Sequence, residues 1–420
     1  MNRRRVRPNW FRIILLCLLV LGGAYVNRFV IPNQPSPFVP TPTVTRSPES
    51  FVTEAEGYFT EGKLEPAIDS YKQAIIASPS DPSLHVALAR VEVWAGQYKD
   101  AQNSAEDALL LNPDNSMAHA VRAWALDFQG SYLEAETSIT RAIELDPQNA
   151  LAYAYYTEII LDSGGDVQKA IDASAKAIAL APDKLETHRA RGYLLEATGN
   201  YEEAIREYQE AIKINNNIPD LHLSLGRNYR TLGIYDQAVD EFTRADTLNP
   251  QDPTPDLFIS RTYATIGEFE KARQYAETAV NNNPADSNLH GNFGVMLYRT
   301  SYWSEAVDEL GYVVNGGVTK DGIKIDKIEL IPEQPRIAEY YFTYGLVLSR
   351  LNRCGEALQV SQLILSRVPA DELAVDNANQ IISRCQQNLN ATPEPILSPT
   401  ETAPAPTDVP TVEATATPTQ

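Results

Sequence analysis

A glycine that recurs every 34 residues constrains the fold of this chain more than any other feature. The stretch GSYLEAETSITRAIELDP begins at Gly130, and related stretches begin at Gly62, Gly96, Gly165, Gly199, Gly233 and Gly267. One step measures 35 residues because of the doublet Gly164-Gly165. A fixed period of this size predicts one supersecondary unit that is copied along the chain and stacked against its neighbours.

Each period carries the pattern of two antiparallel helices. In the repeat 116–149, we expect a first helix from Ser116 to Gln129 and a second from Leu133 to Leu145. Gly130 suits the left-handed conformation that ends a helix. Pro147 ends the second helix because proline cannot continue the hydrogen-bond ladder. One such pair cannot bury its apolar face alone, so the copies must share a continuous core.

The repeated pattern resembles the tetratricopeptide repeat, whose small residues at positions 8, 20 and 27 and proline at position 32 recur here. The resemblance implies an all-α fold, a right-handed α-solenoid of about nine helical hairpins. The nine repeats are 48–81, 82–115, 116–149, 150–184, 185–218, 219–252, 253–286, 287 to about 314, and 338–371. Two repeats depart from the pattern, since repeat 5 has Asn216 in place of the proline and repeat 8 has Ser301 in place of the glycine.

Two further elements complete the predicted solenoid domain, 48–390. A β-hairpin is expected in the insertion 315–337, with a turn at Lys320-Asp321-Gly322 and a bulge near Asp326, where the alternation of apolar residues slips. The hairpin either covers the solenoid or offers its free edge to a partner strand. A capping helix is predicted over 372–390, with an apolar stripe formed by Ala374, Ala378, Ile381, Cys385 and Leu389.

The two ends of the chain differ in composition from the repeats. Residues 1–31 place five arginines before the apolar run Ile13–Val26, which indicates either a retained single-pass membrane anchor or a cleaved signal segment. Both alternatives export the body, with the N-terminus inside; the body is secreted if the segment is cleaved. The Pro/Thr-rich linker 32–47 and the Pro/Thr/Ala-rich tail 391–420 are expected to be disordered.

Charge restricts the class of partner. The net charge is −20, and residues 1–47 carry seven arginines and no acid, so the remaining chain carries −27. A body this acidic repels phosphate backbones, and we therefore expect no nucleic-acid partner.

The residues that most often carry chemistry do not form a catalytic or metal-binding pattern. All five histidines fall at position 4 of a first helix, namely His85, His119, His188, His222 and His290. Metal and catalytic sites need unlike residues that converge on one point, whereas these are like residues displaced by whole repeats. The sequence therefore predicts packing histidines, no metal, no cofactor and no enzyme activity.

Two of the three cysteines indicate a disulfide bond. Cys17 belongs to the N-terminal apolar segment, which leaves Cys354 and Cys385 in an exported body. Cys354 opens the second helix of repeat 9, and Cys385 lies near the end of the antiparallel capping helix. We expect a bond that fastens the cap; two buried thiols are the alternative.

The resemblance also implies a binding groove. In the family, positions 2, 5, 9, 12 and 13 of the first helices line a concave face that receives extended peptides or helices. The groove residues expected to contact a partner are Trp94, Trp124, Phe128, Tyr193, Arg227, Arg230, Arg261 and Arg299; further groove positions are Glu56, Tyr155, Glu158, Arg189 and Arg350. The arginines would attract a carboxylate or an acidic segment. Alternatively, Arg227 and Arg261 pair with acids on the next helix.

These observations favour a non-catalytic protein–protein interaction scaffold, tethered outside the cytoplasmic membrane, whose groove binds a protein or peptide ligand. The alternative function is an accessory subunit of an envelope polysaccharide or secretion assembly that binds glycan through Trp94, Trp124 and Tyr155. A third class, an enzyme with a site in the insertion, lacks any cluster of acid, base and nucleophile.

Overall fold

The computed structural model describes residues 10–25, 28 and 46–390. The predicted tail, and the linker up to residue 45, lie outside the described residues. Helix α1 spans Trp10–Tyr25, and no helix of the described residues is long and apolar enough to cross a membrane.

The predicted all-α solenoid architecture is confirmed. Nine helical hairpins follow one another in the described chain, and the nineteen-residue helix α20 (Glu372–Asn390) follows the last hairpin. The hairpins are α2 (Pro48–Thr60) with α3 (Leu64–Ala77), α4 (Pro82–Trp94) with α5 (Tyr98–Leu111), α6 (Ser116–Phe128) with α7 (Tyr132–Leu145), α8 (Ala150–Asp162) with α9 (Val167–Leu180), α10 (Leu185–Ala197) with α11 (Tyr201–Ile214), α12 (Pro219–Thr231) with α13 (Tyr235–Leu248), α14 (Pro253–Thr265) with α15 (Phe269–Asn282), α16 (Ser287–Arg299) with α17 (Trp303–Asn315), and α18 (Pro335–Arg350) with α19 (Cys354–Arg367).

Local chemistry explains where the helices begin and end. The Asn115 side chain accepts a hydrogen bond from the backbone N–H of Ala118 and so caps α6. Gly130 has φ of +72° and ends the same helix, as the sequence predicts. Ala123 and Ala135 have no exposed surface, because the two helices of the hairpin approach each other at these small side chains.

The chain forms two compact units, Met1–Ile218 and Pro219–Gln420, which we call the N-terminal unit and the C-terminal unit. The boundary falls two residues after Asn216, the residue that replaces the expected proline. The N-terminal unit contains repeats 1 to 5, and the C-terminal unit contains repeats 6 to 9 with the insertion and α20.

The N-terminal unit closes on itself. The side-chain amide of Asn215 donates to the Phe59 carbonyl at 3.2 Å, and that of Asn217 donates to the Thr60 carbonyl at 2.9 Å. The end of repeat 5 therefore contacts the end of the first helix of repeat 1. A Cβ at Gly62 would lie 2.5 Å from the Asn217 carbonyl oxygen, so only glycine permits this approach.

The insertion forms a smaller hairpin than the sequence predicts. Strands β1 (Gly317–Val318) and β2 (Lys324–Ile325) pair antiparallel. The predicted continuation past a bulge near Asp326 is wrong, because the next residues leave the sheet and the backbone N–H of Ile328 donates to the Val313 carbonyl at 2.9 Å. Leu330 is buried, so the insertion covers part of the solenoid.

The cap has the predicted covalent bond. Cys354 and Cys385 form a disulfide with a Cα–Cα distance of 5.4 Å, and Cys17 is free. Four of the five residues of the predicted α20 stripe have no exposed surface, namely Ala374, Ala378, Ile381 and Cys385. The prediction for the fifth is wrong, since Leu389 is 71% exposed: it lies one turn past the disulfide, near the end of the helix.

Candidate binding surfaces

The interior of the N-terminal unit is filled by its own aromatic rings. The rings of Trp124 and Tyr155 stack with centroids 4.3 Å apart, and Trp94 meets Trp124 edge to face at 5.1 Å. These side chains come from three successive first helices, α4, α6 and α8. Trp94 is 9% exposed, Trp124 is 1% exposed and Tyr155 has no exposed surface, so none of them offers a ring face to a ligand such as a glycan.

Buried charges of opposite sign accompany these rings. Arg189 forms an ion pair with Glu158, which also accepts a 3.0 Å hydrogen bond from Nε1 of Trp124. Arg90 forms an ion pair with Glu186 from α10. The Arg189 guanidinium lies 5.5 to 5.7 Å from the centroids of three rings, those of Trp94, Trp124 and Phe128. Each of these arginines thus faces a carboxylate of the same unit.

Asp127 is a buried acid outside these ion pairs. Its carboxylate oxygens are buried and form no hydrogen bond to described residues. Burial, together with the charges of Asp162 and Glu158, raises the pKa of Asp127 to about 8. The carboxyl is therefore mostly protonated at neutral pH.

Two other predicted groove residues lie at the edge of this interior. Phe128 is 37% exposed and stacks on Tyr98 with centroids 4.6 Å apart. The Tyr193 hydroxyl donates to Asp162, and burial together with this carboxylate raises the pKa of Tyr193. The face that the sequence predicts as the early groove is thus occupied by side chains of the same unit.

The C-terminal unit instead presents a cluster of cations, which we call the arginine face: Arg230, Arg261, Arg299 and Arg336, from α12, α14, α16 and α18 respectively. Partial burial and the positive charges of Arg261 and Arg336 lower the pKa of Arg230. Nε of Arg261 is buried and forms no hydrogen bond to described residues.

Few acids neutralise the arginine face. Arg336 donates to Glu339 at 2.7 Å. Among the described residues, no carboxylate forms an ion pair with Arg230, Arg261 or Arg299. The alternative in which Arg261 pairs with an acid on the next helix is therefore wrong for this residue. Like charges without counter-ions favour the approach of an anion.

Aromatic rings support several of these guanidinium groups. Arg230 lies 6.0 Å from the Phe258 centroid and Arg299 lies 5.7 Å from that of Phe269. Arg350, a further groove position, lies over Tyr298 and Trp303. Arg227 donates to the Ser224 hydroxyl on its own helix at 3.1 Å. Stacking of this kind orients a guanidinium while its N–H groups remain available to a ligand.

A cleft of about 580 Å³ opens beside the arginine face, between α16, α18 and α20. Arg299, Arg336 and Glu339 supply charge, and Asn377 and Gln380 supply amide groups. The apolar lining includes Leu373, which is 65% exposed. Other lining residues are Tyr298, Pro335, Phe342, Thr343 and Leu346. This mixture of cations, amides and apolar surface suits an extended polypeptide better than a small apolar molecule.

His188 and His290 each join the first helix of a repeat to its second helix and to the loop that precedes the first helix. His188 Nδ1 lies 2.7 Å from Glu207, and its Nε2 lies 2.8 Å from the Pro182 carbonyl oxygen. The same arrangement joins His290 to Glu309 and to Pro284. Since both ring nitrogens face acceptors, the protonated imidazole is favoured. The described residues contain no group of His, Cys, Asp or Glu that could hold a metal ion.

The sequence does not identify three charged residues of these surfaces, Arg336, Asp127 and Arg90. Arg336 lies before the predicted start of repeat 9 at 338, because the insertion interrupts the count of 34 and α18 begins at Pro335. Asp127 and Arg90 occupy groove positions at which polar residues are ordinarily exposed. Side chains of other repeats in the same unit surround them, such as Glu186 at Arg90 and Glu158 near Asp127, and no pattern within one repeat reports that packing.

The fold and these surfaces define a class, an α-solenoid of helical hairpins. Sequence models of the tetratricopeptide repeat match residues 58–125, 121–184, 197–229, 219–252 and 257–286. These matches together cover about half of the chain. The hairpins over these residues are therefore tetratricopeptide repeats, the chain belongs to this family, and the resemblance read from the sequence is confirmed.

Solved structures share the fold. The APC/C hetero-tetramer Cut9-Hcn1 superposes with a TM-score of 0.54 at 13% identity, covering 88% of this chain and 82% of that one. A human IFIT1 dimer with PPP-AAAA gives 0.53 at 15% identity, covering 81% and 83%. PilW, a type IV pilus biogenesis factor, gives 0.43 at 19% identity, covering 47% and 91%, which is too low to support an inference. No curated protein matches the sequence.

Proposed function

We propose that this protein is a non-catalytic scaffold that binds an acidic, extended segment of a partner protein along its arginine face. Tetratricopeptide repeat proteins bind protein partners, and the C-terminal unit supplies a surface with the charge and shape for one. The observation that carries the proposal is the set of three guanidinium groups, Arg230, Arg261 and Arg299, without a carboxylate partner among the described residues. Carboxylates of a ligand would supply charge-assisted hydrogen bonds to this set.

The chemistry of the cleft limits the partner further. Leu373 and Phe342 offer apolar contact beside Arg299, while Asn377 and Gln380 can pair with a peptide backbone. A ligand that alternates acids with apolar residues would use both kinds of surface. A purely anionic polymer would use only the arginines and would depend more strongly on salt.

We propose in addition that residues 1–31 tether the scaffold at the cytoplasmic membrane and that the repeats lie outside it. Five arginines before an apolar run support this orientation.

In-cell photo-crosslinking tests the binding surface. A photoreactive residue is placed at Gln380, which is exposed and lines the cleft, and in a matched variant at Gln386, which is exposed on the same helix outside the cleft lining. We expect a discrete crosslinked partner from position 380 and none from position 386.

Charge reversal is the second arm of this experiment. Arg261→Glu with Arg299→Glu should abolish the crosslink from position 380. Arg353→Glu should preserve it, because Arg353 pairs with Glu356 and is not a groove residue. A crosslink that survives reversal of both arginines would contradict the proposal.

A further inference from the structure

We propose that the tail 391–420 of the same chain docks on the arginine face and competes there with the partner. This inference rests on the proposed function of the arginine face and identifies a segment of the same chain that competes with the partner for that surface. In this arrangement the tail limits access of weak anionic ligands, and a partner binds by displacing it.

Charge complementarity is the first argument. The tail contains four acids, Glu394, Glu401, Asp408 and Glu413, and no lysine, arginine or histidine. The arginine face contains four guanidinium groups, and within residues 46–390 only Arg336 among them has an acid partner. The tail is therefore a polyanion joined to the same chain as an under-neutralised cation cluster, which favours their association.

The position of the attachment point is the second argument. Helix α20 contributes Leu373, Asn377 and Gln380 to the cleft and ends at Asn390, where the tail begins. Ten residues of helix separate Gln380 from Asn390, a length of about 15 Å at about 1.5 Å per residue. Extended chain rises about 3.1 Å per residue, so roughly five tail residues cover that length. The remaining twenty-five are long enough to follow the arginine face.

The composition of the tail is the third argument. Its prolines restrict the unbound chain to extended conformations, so less conformational entropy is lost on docking. Ile396 and Leu397 lie between the first two acids, and exposed Leu373 offers an apolar contact beside Arg299. The tail thus has both kinds of group that the cleft can receive.

Tethering makes even a weak contact effective. A flexible tether gives an effective concentration on the order of 1 mM. If the tail sequence binds in trans with a Kd of about 100 µM, the tethered tail weakens binding of an external ligand by roughly 10-fold. Exposed charges govern the contact, so salt above about 0.5 M should largely remove the effect.

Competition in the full-length, detergent-solubilised protein tests the inference. The probes are a fluorescein-labelled peptide with the sequence 391–420 and an unrelated labelled peptide of alternating Glu and Leu. The two proteins are the wild type and a variant with Glu394→Gln, Glu401→Gln, Asp408→Asn and Glu413→Gln, which keeps the length and prolines of the tail. We expect both probes to bind the variant about 10-fold more tightly than the wild type, and Arg261→Glu with Arg299→Glu to abolish binding in the variant.

The outcomes separate the two proposals. If the Glu–Leu peptide binds both proteins equally through the arginines while the tail peptide does not bind, the surface stands and tail docking is rejected. If neither probe binds the variant, the proposed surface is rejected as well. If the tail peptide binds but neutralising the tail changes nothing, docking within one chain is overturned.

Crosslinking locates the docked tail. A photoreactive residue at Leu397 should form a bond within one chain to peptides of α16, α18 or α20, and 0.5 M salt should reduce its yield. A bond formed only between two differently tagged copies would instead mean that the tail reaches a second molecule, which overturns docking in cis.

Discussion

The Asp127 carboxyl shows how burial changes the chemistry of a single residue in this protein. Arg189 and Arg90 each form an ion pair with a carboxylate, so the positive and negative charges within each pair compensate each other. An additional charge on Asp127 would lie close to Asp162 and Glu158. Arg189, the cation that favours this charge, is already paired with Glu158. An isolated buried charge is costly, so the group stays protonated until the pH approaches its raised pKa.

This argument predicts a pH dependence that Asp127→Asn removes. The folded pKa of about 8 lies above the unfolded value near 4, so the folded state binds more protons between these limits and stability falls as pH rises through that window. The variant should flatten the slope by up to about 1.4 kcal/mol per pH unit. Chemical denaturation of the protein at pH 5, 6, 7 and 8 measures the slope. As a control, Asp183→Asn replaces an exposed side chain and should leave the slope of stability against pH unchanged. If Asp127→Asn also left the slope unchanged, the Asp127 carboxyl would be ionised over the whole range from pH 5 to 8.

A second pH-dependent contribution comes from His188. Its hydrogen bond to Glu207 raises the pKa of the imidazole, so this stabilisation is complete below pH 6.5 and is lost as pH rises through the folded pKa. His188→Gln should lower stability by about 1–2 kcal/mol at pH 5.5, the scale of a charge-assisted hydrogen bond, and by less at pH 9. Denaturation at both pH values tests this. An equal loss at both would mean that the ring contributes only packing.

At the scale of one element, the glycines inside helices have two different roles. Gly294 faces the second helix of its hairpin, and a Cβ there would lie 2.6 Å from Cγ of Leu310 and 3.2 Å from its backbone nitrogen. At Gly57 in α2, a Cβ would meet nothing within 4 Å. The same substitution should therefore have opposite effects at the two sites.

We expect Gly294→Ala to destabilise the protein by about 1–3 kcal/mol, because the added methyl group overpacks the hairpin. Gly57→Ala should stabilise it by about 0.5–1 kcal/mol, because alanine favours the helix and no contact opposes it. Thermal denaturation of the two variants provides the comparison. Stabilisation in both would show that helix propensity, rather than hairpin packing, determines the outcome.

The disulfide acts on the capping element as a whole. Cys354 and Cys385 are 31 residues apart, and a loop of that length corresponds to about 3–4 kcal/mol on the chain-entropy account. Replacing both with alanine should lower the stability of the C-terminal unit by about this amount and increase hydrogen exchange in α20. Cys17→Ser is the matched control and should have no effect. A cap that is equally protected after the replacement would show that packing alone holds it.

The repeat period determines how much of the elements could be predicted from sequence. Helix ends in repeat 3 agree with prediction to one residue because Asn115, Gly130 and Pro147 act locally. The sequence predicts too long a second strand. The alternation of apolar and polar residues from Ile323 to Leu330 indicates only which side chains are buried, and an irregular segment buries Leu330 as well as a strand would. Local signals therefore predict elements well and insertions poorly.

At the scale of the whole molecule, the sequence predicts groove positions but not which of them stay open. Trp124 and Arg299 both occupy groove positions of a first helix, yet one is buried and the other is exposed. Trp124 is covered by side chains of other repeats in its unit, among them Trp94, Tyr155 and Glu158. No pattern within one 34-residue period encodes contacts between repeats, so the sequence predicts both residues as groove positions but does not predict that Trp124 is buried.

The distribution of charge along the whole chain leads to a prediction about topology. Arginines precede the apolar run and acids dominate the rest, so the positive end should stay in the cytoplasm while the body is exported. Proteinase K added to intact, wall-permeable cells should remove an epitope placed after residue 420. The repeats should survive as a fragment close to 46–390, because their backbone groups are hydrogen-bonded in helices.

The fragment itself distinguishes the two fates of the N-terminal segment. A retained anchor keeps the full-length protein in the membrane fraction before protease treatment, whereas a cleaved segment releases the body into the medium with a new N-terminus. Cells lysed before treatment provide the positive control for epitope removal, and a cytoplasmic protein that stays intact shows that the cells were closed. If the epitope were lost only after lysis, the body would be cytoplasmic, and a partner for the arginine face would have to be sought there.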